Sequence, residues 1–420
     1  MTPKIDEWTD AVRTLSRVAR RYPQTAYCAL TRSIQTEWTY LQRVVPGSGP
    51  AFKPIEDAIQ KDFLPALFGG PPPARELTSL PVNLAGLGIP DPVTNADKHF
   101  STSVSMTEEV ATSFTTGTEL DAIGFGLLSK NLLRNLKKDH RLSLLTRLES
   151  LQTQADPQEE RRLKRNRLTG CWLTTAPSTD FDTALSALEF RDALRLRFGL
   201  TPLGLPQMCD GCPNSRFTVG HALQCKRGGL VRARHEEVAR EWSHLCAQAL
   251  TPSAVADEPT IPQVNDVNSP GPALRGDVSA RGFWNRGTTA VFDIRVTDTD
   301  AHSHRNRDPL SILRRQEKEK KDKYNDACIQ AHQHFTPLVY SVDGLEGSEA
   351  KAARKRLASR LAAKWNRQYS QVCEVVRSRL SFTLIRATNR CLRGSRVPLR
   401  KNQSLDWLQR SGMRLYMGLC

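Results

Sequence analysis

The sequence predicts an α+β protein with a helical N-terminal half, a small zinc-binding module, a mixed sheet flanked by helices and a helical basic tail. Three observations lead there: apolar residues at helical spacing between Trp8 and Phe198, a Cys/His cluster at mid-chain, and two β-branched runs on either side of a charged helical stretch. A chain of 420 residues is too long for one ordinary core. It suits two to three domains of about 100–200 residues each.

Val12, Leu15, Val18 and Ala19, then Ala29, Leu30, Ile34, Trp38, Leu41 and Val45, predict two amphipathic helices broken at Pro23 and at Pro46–Pro50. A third runs through Ile55, Ile59, Phe63 and Leu64, kinked at Pro65 and stopped by Gly69–Pro73, because proline cannot continue a helix. Leu80–Pro92 is punctuated by Gly and Pro and reads as a surface loop, and 97–126 as helical. Asn131–Arg167 is a charged helix ending in the basic run Glu159–Arg167, which fits either a solvated face or phosphate contact. Trp172–Phe198 resumes the helical pattern. Thr251–Ala273, with five prolines and no apolar periodicity, reads as a linker. Thr288–Val296 and Phe335–Val342 are strands around the charged helix Ile312–His332. A long helical region then runs from Ser348 to Cys391, and from Lys351 onward there are 17 Lys/Arg against 2 Asp/Glu. The divisions are 1–125 helical region, 126–204 helical connector, 205–250 zinc-knuckle module, 251–273 linker, 274–347 sheet core and 348–420 basic helical tail.

Lys+Arg number 60 against 44 Asp+Glu, a net charge of +16, and the partner suited to such a surface is a polyanion, nucleic acid first. No run approaches the roughly 18 apolar residues of a membrane-spanning helix, and Met1–Arg20 has no apolar core with a small-residue cleavage site. No membrane partner is expected, and the chain reads as intracellular. Ten cysteines are too few for a disulfide scaffold. Seven are scattered and read as reduced.

Cys209, Cys212, His221 and Cys225 form C-x2-C-x8-H-x3-C. Zinc takes four soft or borderline ligands in a tetrahedron. Thiolates two residues apart on a tight turn, with a His/Cys pair one helical turn apart on one helix face, supply that geometry. All four positions are filled by protein, so the zinc is expected to be structural, organising a basic module with Lys226, Arg227, Arg232 and Arg234. Unligated cysteines clustered by chance are the alternative.

A second cluster comprises Asp277, Asp293 in the strand VFDIRV, and the helix EKEKKDKY from Glu317 to Tyr324. Metal-dependent phosphodiester cleavage needs carboxylates converging on Mg2+ and a cation near the attacking water or scissile phosphate. Asp277 and Asp293 on neighbouring strands with a Lys from the next helix meet that need. Acids at strand ends beside a solvated helix are the plainer reading of the same residues.

Together these residues resemble the C-terminal region of non-LTR retrotransposon polyproteins, in which a Cys-Cys-His-Cys knuckle precedes a PD-(D/E)xK-type endonuclease; the likeness spans roughly Lys164–Gly347. The resemblance implies that Asp277 and Asp293 bind Mg2+. It matches Glu317, Lys320, Lys323 and Tyr324 to a helix E-x2-K-x2-K-Y, and Phe335, Pro337, Val339 and Gly344 to a strand F-x-P-x-V with a downstream Gly. Gly276 stands where that family has Pro, and Arg295 where its D-x-K has Lys. Arg stays protonated, so the lysine role passes to Lys320 or Lys323. The stretches Tyr22–Pro46, Pro54–Gly69 and Leu80–Pro92 are similar to the thumb and post-thumb region after a retroelement polymerase palm, making 1–125 thumb-like. No Y/F-x-D-D motif is present, so this chain alone is not expected to polymerise DNA and looks like a truncated copy or fragment.

The implied function is a nuclear DNA endonuclease that binds and nicks target DNA with Mg2+ and a structural Zn2+, with element RNA as a further partner. Its site would be Asp277, Asp293, Lys320, Lys323 and Tyr324. The alternatives are a catalytically inactive nucleic-acid-binding remnant or domesticated zinc-binding protein, and a helical scaffold.

Overall fold

The computed structural model describes residues 1–262 and 274–397; part of the expected linker (263–273) and the end of the expected tail (398–420) lie outside the described residues. The N-terminal half contains α1 (Thr2–Arg21), α2 (Pro23–Ala29), α3 (Gln35–Val44), α4 (Lys53–Ala58), α5 (Leu64–Phe68), α6 (Arg75–Ser79), α7 (Pro92–Thr116), α8 (Ala122–Gln154), α9 (Pro157–Asn166), α10 (Cys171–Thr174) and α11 (Ala187–Arg197). Pro23 ends α1 because the residue before a proline is pushed out of the helical region, and Tyr22 sits at φ −128°, ψ 66°. The helix expected to kink at Pro65 passes through a π-helical turn, Ile59–Phe63, and Pro65 then occupies the first turn of α5, where its missing N–H costs nothing.

Trp8, Val12, Leu30, Phe52 and Phe63 pack with Phe190 and Leu194 of α11 in one buried cluster, so the divisions expected at 1–125 and 126–204 share one core. The run Trp172–Phe198 is not one helix. Pro177 and the turns after it separate α10 from α11, which restarts at a Ser186/Glu189 capping box. α7 and α8 form an antiparallel hairpin, with Lys98 meeting His140 near its base and Asp121 capping α8 through the N–H groups of Ile123 and Gly124.

The second half is a three-layer arrangement. A four-stranded sheet has the order β1 (Val255–Asp257), β4 (Val278–Arg281), β5 (Thr289–Thr297), β6 (Gln333–Ser341), antiparallel except for the parallel β5–β6 pair. A two-stranded piece joins β2 (Thr260–Ile261) to β3 (Leu274–Arg275). The stretch 251–261, expected to be linker, therefore belongs to the sheets: proline excluded it as a central strand, and β1 is an edge. The helix α14 (Pro309–Gln330) crosses between β5 and β6 over one face, while α13 (Leu230–Ala249), α15 (Ser348–Trp365) and α16 (Tyr369–Arg393) cover the other. Trp242 of α13 lies edge-on to Phe292 with ring centroids 5.4 Å apart, so α13 packs on the sheet, while Leu230 and Arg234 at its start reach back to Leu223 in the Cys/His segment that precedes it.

The expected basic tail is two helices, with Asn366 in the left-handed conformation ending the first. Leu357, Leu361, Leu380 and Leu384 bury against the sheet, Phe382 enters the N-terminal cluster, and Leu392 packs beside Cys209 and Cys225. One helix, α16, thus serves three cores.

Candidate functional site

The zinc motif folds as two turns facing each other. Cys209 N–H donates to Ser215 O at 2.9 Å across a turn that carries Cys212, and α12 (Val219–Gln224), capped by Thr218, presents His221. Cys225 is not on that helix, as the spacing suggested, but one residue beyond its end, in extended conformation. The four ligand atoms nevertheless lie within 4.8 Å of one another, and Cys212 Sγ is 3.5 Å from Cys225 Sγ.

Burial works to raise the Cys209 and Cys225 thiols, but hydrogen bonds from the N–H groups of Gly211 and Arg227, each two residues on, help bring both below the ordinary value. Cys212 is pushed up to about 11 by its hydrogen bond to Cys225 and by burial. Crowded thiols that cannot all ionise alone, beside a buried His221 Nε2 with no partner among the described residues, fit a soft divalent ion. The residues after α16 close over this module. Arg396, 2% exposed, stacks 4.8 Å over Phe217 and donates to the carbonyls of Ala222 and Cys391, and a Cβ on Gly211 would come within 2.6 Å of Arg396 Cβ.

The carboxylates meet at one end of the β4–β5 ladder. Side chains alternate along β5, so Phe292 and Ile294 face the α13 side while Asp293 faces α14. Asp293, 4% exposed, pairs with Lys320 Nζ at 2.6 Å. Burial raises its pKa, with Lys320 opposing and Asp277 adding to the rise. The β4 ladder stops at Val278, and the Asp277 carboxylate accepts the Ile294 N–H at 2.5 Å in place of a further main-chain partner. Gly276 has its own reason: its N–H donates to Pro259 O at 3.0 Å, and a Cβ there would lie 2.5 Å from Val291 Cγ1, so proline does not fit.

Of the two candidate lysines, Lys320 reaches the carboxylate. Lys323 stacks 4.6 Å over the Tyr324 ring and donates to its hydroxyl, and that ring stacks on Phe335 at 5.0 Å. The nearby Tyr324 hydroxyl, with Lys320, opposes the rise in the Asp293 pKa. Glu317 takes no part. Its carboxylate accepts from Ser348 Oγ at 2.7 Å and Glu349 N–H at 2.9 Å, capping α15. Arg295 pairs with Glu319 at 2.9 Å on the rim of a cleft of about 280 Å³ that Lys320 and His235 also line.

His235, on α13, is the site residue that sequence reasoning missed, because a lone His on a half-apolar helix carries no motif. Its Nε2 is 3.0 Å from Asp277 Oδ2, and this hydrogen bond holds its pKa above the ordinary 6.5 against the opposing effect of burial. A raised histidine stabilises the fold fully below its unfolded pKa and loses that contribution as pH rises through the folded value. In metal-free protein, NMR titration of His235 is expected to give a midpoint above 6.5, and Asp277→Asn to lower it. An unchanged midpoint in the variant would show that the pair does not form.

The basic runs divide differently from the sequence expectation. In Glu159–Arg167, Arg165 is 4% exposed and bound to Asp300 and Asp343, and Arg161 donates to the Thr299 and His304 carbonyls. Neither faces phosphate. Arg234 is buried on the Leu223 carbonyl, and in the tail Arg354, Arg356, Arg360, Arg379 and Arg393 bind internal carboxylates or carbonyls. What stays exposed is Lys164 and Arg167 in the run, Lys226, Arg227 and Arg232 in the Cys/His module, and Lys351, Lys355, Lys364 and Arg367 in the tail. Arg165→Ala is expected to cost about 3 kcal/mol in denaturant unfolding, since it strands two partly buried carboxylates, and to leave unchanged the salt dependence that the sequence leads one to expect for DNA binding. A loss below about 1 kcal/mol, as for exposed pairs, would contradict this.

Among the described residues no helix is long and apolar enough to cross a membrane. No family model matches the chain, and no curated protein matches it.

Proposed function

We propose that the chain is a retroelement-type endonuclease fragment that binds DNA and nicks it with Mg2+, and that its sheet is a PD-(D/E)xK core. The observation that carries this reading is the buried Asp293–Lys320 pair at 2.6 Å beside Asp277: a lysine from the following helix stands where Arg295 has left the D-x-K position. The order α13, β1, β4, β5, α14, β6, with one acid before β4 and another within β5, is similar to the arrangement the resemblance implies.

In this reading Asp277 and Asp293 hold Mg2+, a hard ion suited to carboxylate oxygens. Bound Mg2+ supplies a nucleophilic water at neutral pH and stabilises charge on the phosphate. Lys320, held in place by its pair with Asp293, donates towards the scissile phosphate. Tyr324 stands beside the Asp293 carboxylate, and Lys323 supports Tyr324 from outside. His235 keeps Asp277 Oδ2 engaged and leaves its other oxygen for the metal. The zinc module and the exposed lysines hold the nucleic acid, DNA or element RNA, and the place of action is the nucleus.

A second reading, a remnant that binds but does not cut, is favoured by the pairing of Asp293 with Lys320 and of Asp277 with His235, and by the use of Glu317 as a cap. A nicking assay on supercoiled plasmid, with Mg2+ against EDTA, separates them. Mg2+-dependent nicked circles support the nuclease, and salt-sensitive binding without nicking supports the remnant. Protein with no salt-sensitive binding would sink both and leave the helical scaffold.

A further inference from the structure

The hairpin of α7 and α8 is built with an unfinished core. With 33 residues in α8, the arm reaches about 50 Å at the α-helical rise of 1.5 Å per residue. Within the described residues, no side chain between Ala96 and Leu148 is buried. The facing positions repeat at coiled-coil spacing, Met106, Val110 and Ser113 on one helix against Phe125, Leu132 and Leu136 on the other, yet each is only half-buried. Outside this seam, Phe114, Ile123, Leu127 and Leu128 are 59% to 84% exposed. Two helices cannot close a core of this kind, whereas four can.

Charge indicates what closes it. Glu108 and Glu109 are the charged residues of α7 beyond His99, and α8 carries Lys130 and Arg134 at the level opposite them, as the Lys98–His140 contact sets the pairing. None of these four forms an ion pair among the described residues. An acidic helix beside a basic one is complementary to itself when rotated by a twofold axis along the arm. Such a rotation sets the acids of each copy level with the bases of the other and places the apolar residues inside.

We propose that the arm is a self-association surface on which two copies of this chain join as an up-down-up-down four-helix bundle. The contact is isologous, so each charge cluster is used twice. It is independent of the nuclease reading, since it uses no residue of the cleft.

The test uses the full chain in sedimentation equilibrium, with two charge-reversed variants: Glu108→Lys with Glu109→Lys, and Lys130→Glu with Arg134→Glu. Wild type is expected to show a concentration-dependent dimer, and either variant alone to associate about tenfold more weakly or worse, because like charges now face each other. An equimolar mixture of the two variants restores the complementarity at both contacts and should dimerise like wild type. Leu127→Ser with Leu128→Ser, at exposed positions that leave the monomer folded, should weaken the dimer as well. Monomeric wild type at all concentrations overturns the proposal. So does a mixture no tighter than its components, or a Lys130/Arg134 reversal that lowers DNA affinity while self-association is unchanged, which would give the basic face to nucleic acid.

Discussion

In the proposed nuclease, Asp293→Ala is expected to abolish nicking while leaving zinc content and DNA affinity close to wild type. The carboxylate is buried and faces α14, so in the proposed reading its loss removes a metal ligand and not a phosphate contact. Losing metal-assisted stabilisation should cost at least about 3 kcal/mol, roughly a hundredfold or more in rate. The same substitution strands Lys320 in a half-buried position, so Asp293→Asn, which keeps the shape, serves as the control for folding. Lys320→Ala should also lower turnover strongly, whereas Lys323→Ala, which removes a prop from Tyr324, should have a smaller effect. Equal losses at the two lysines would remove the assignment of Lys320 as the acting cation.

The second large effect is on zinc. Purified protein should hold one equivalent, and Cys209→Ser with Cys212→Ser should release it and unfold the region from Cys209 to Arg227. Apparent binding energies for structural zinc are about 10 kcal/mol or more near neutral pH, far above what the small apolar cluster of Phe217, Ala222 and Leu392 can supply. The loss should also loosen the Arg396 strap, because that side chain lies on Phe217. Protease sensitivity that begins near Arg396 on chelation is the readout; unchanged digestion with and without chelator would show that the module folds without metal.

Much of this was legible because it depends on local spacing. The strands VFDIRV and FTPLVYSV, the helix between them and the zinc quartet each follow from residues close in sequence, and each lies within two or three residues of its expected place. The role of the arginines was not legible. In EERRLKRNR nothing distinguishes Arg165 from Lys164, yet one is buried on Asp300 and Asp343, more than 130 positions away, and the other pairs with Glu160 in solvent. Charge in a sequence reports composition, and only tertiary contacts decide which cations are spent internally. His235 was hidden for the same reason, since its partner Asp277 lies beyond the end of its own helix. Glu317 resembled a motif residue and became a helix cap because Gly347 leaves room for its carboxylate, where a Cβ would come within 2.2 Å of Oε1.

The sharing of α16 by three cores bears on how a newly made chain reaches this state. Arg377 and Arg386 of that helix bond the main chain at Leu168 and Asp182, and Leu380 and Leu384 close the sheet. These contacts join residues about 200 positions apart, and such long loops close slowly. At ordinary elongation rates of about 5–20 residues per second, the first helices wait on the order of ten seconds or more on the ribosome before α16 emerges. During that interval the surfaces destined for α16 stay open to solvent. Synthesis therefore passes through a window in which these apolar surfaces lie uncovered, and that window closes with the docking of a single helix.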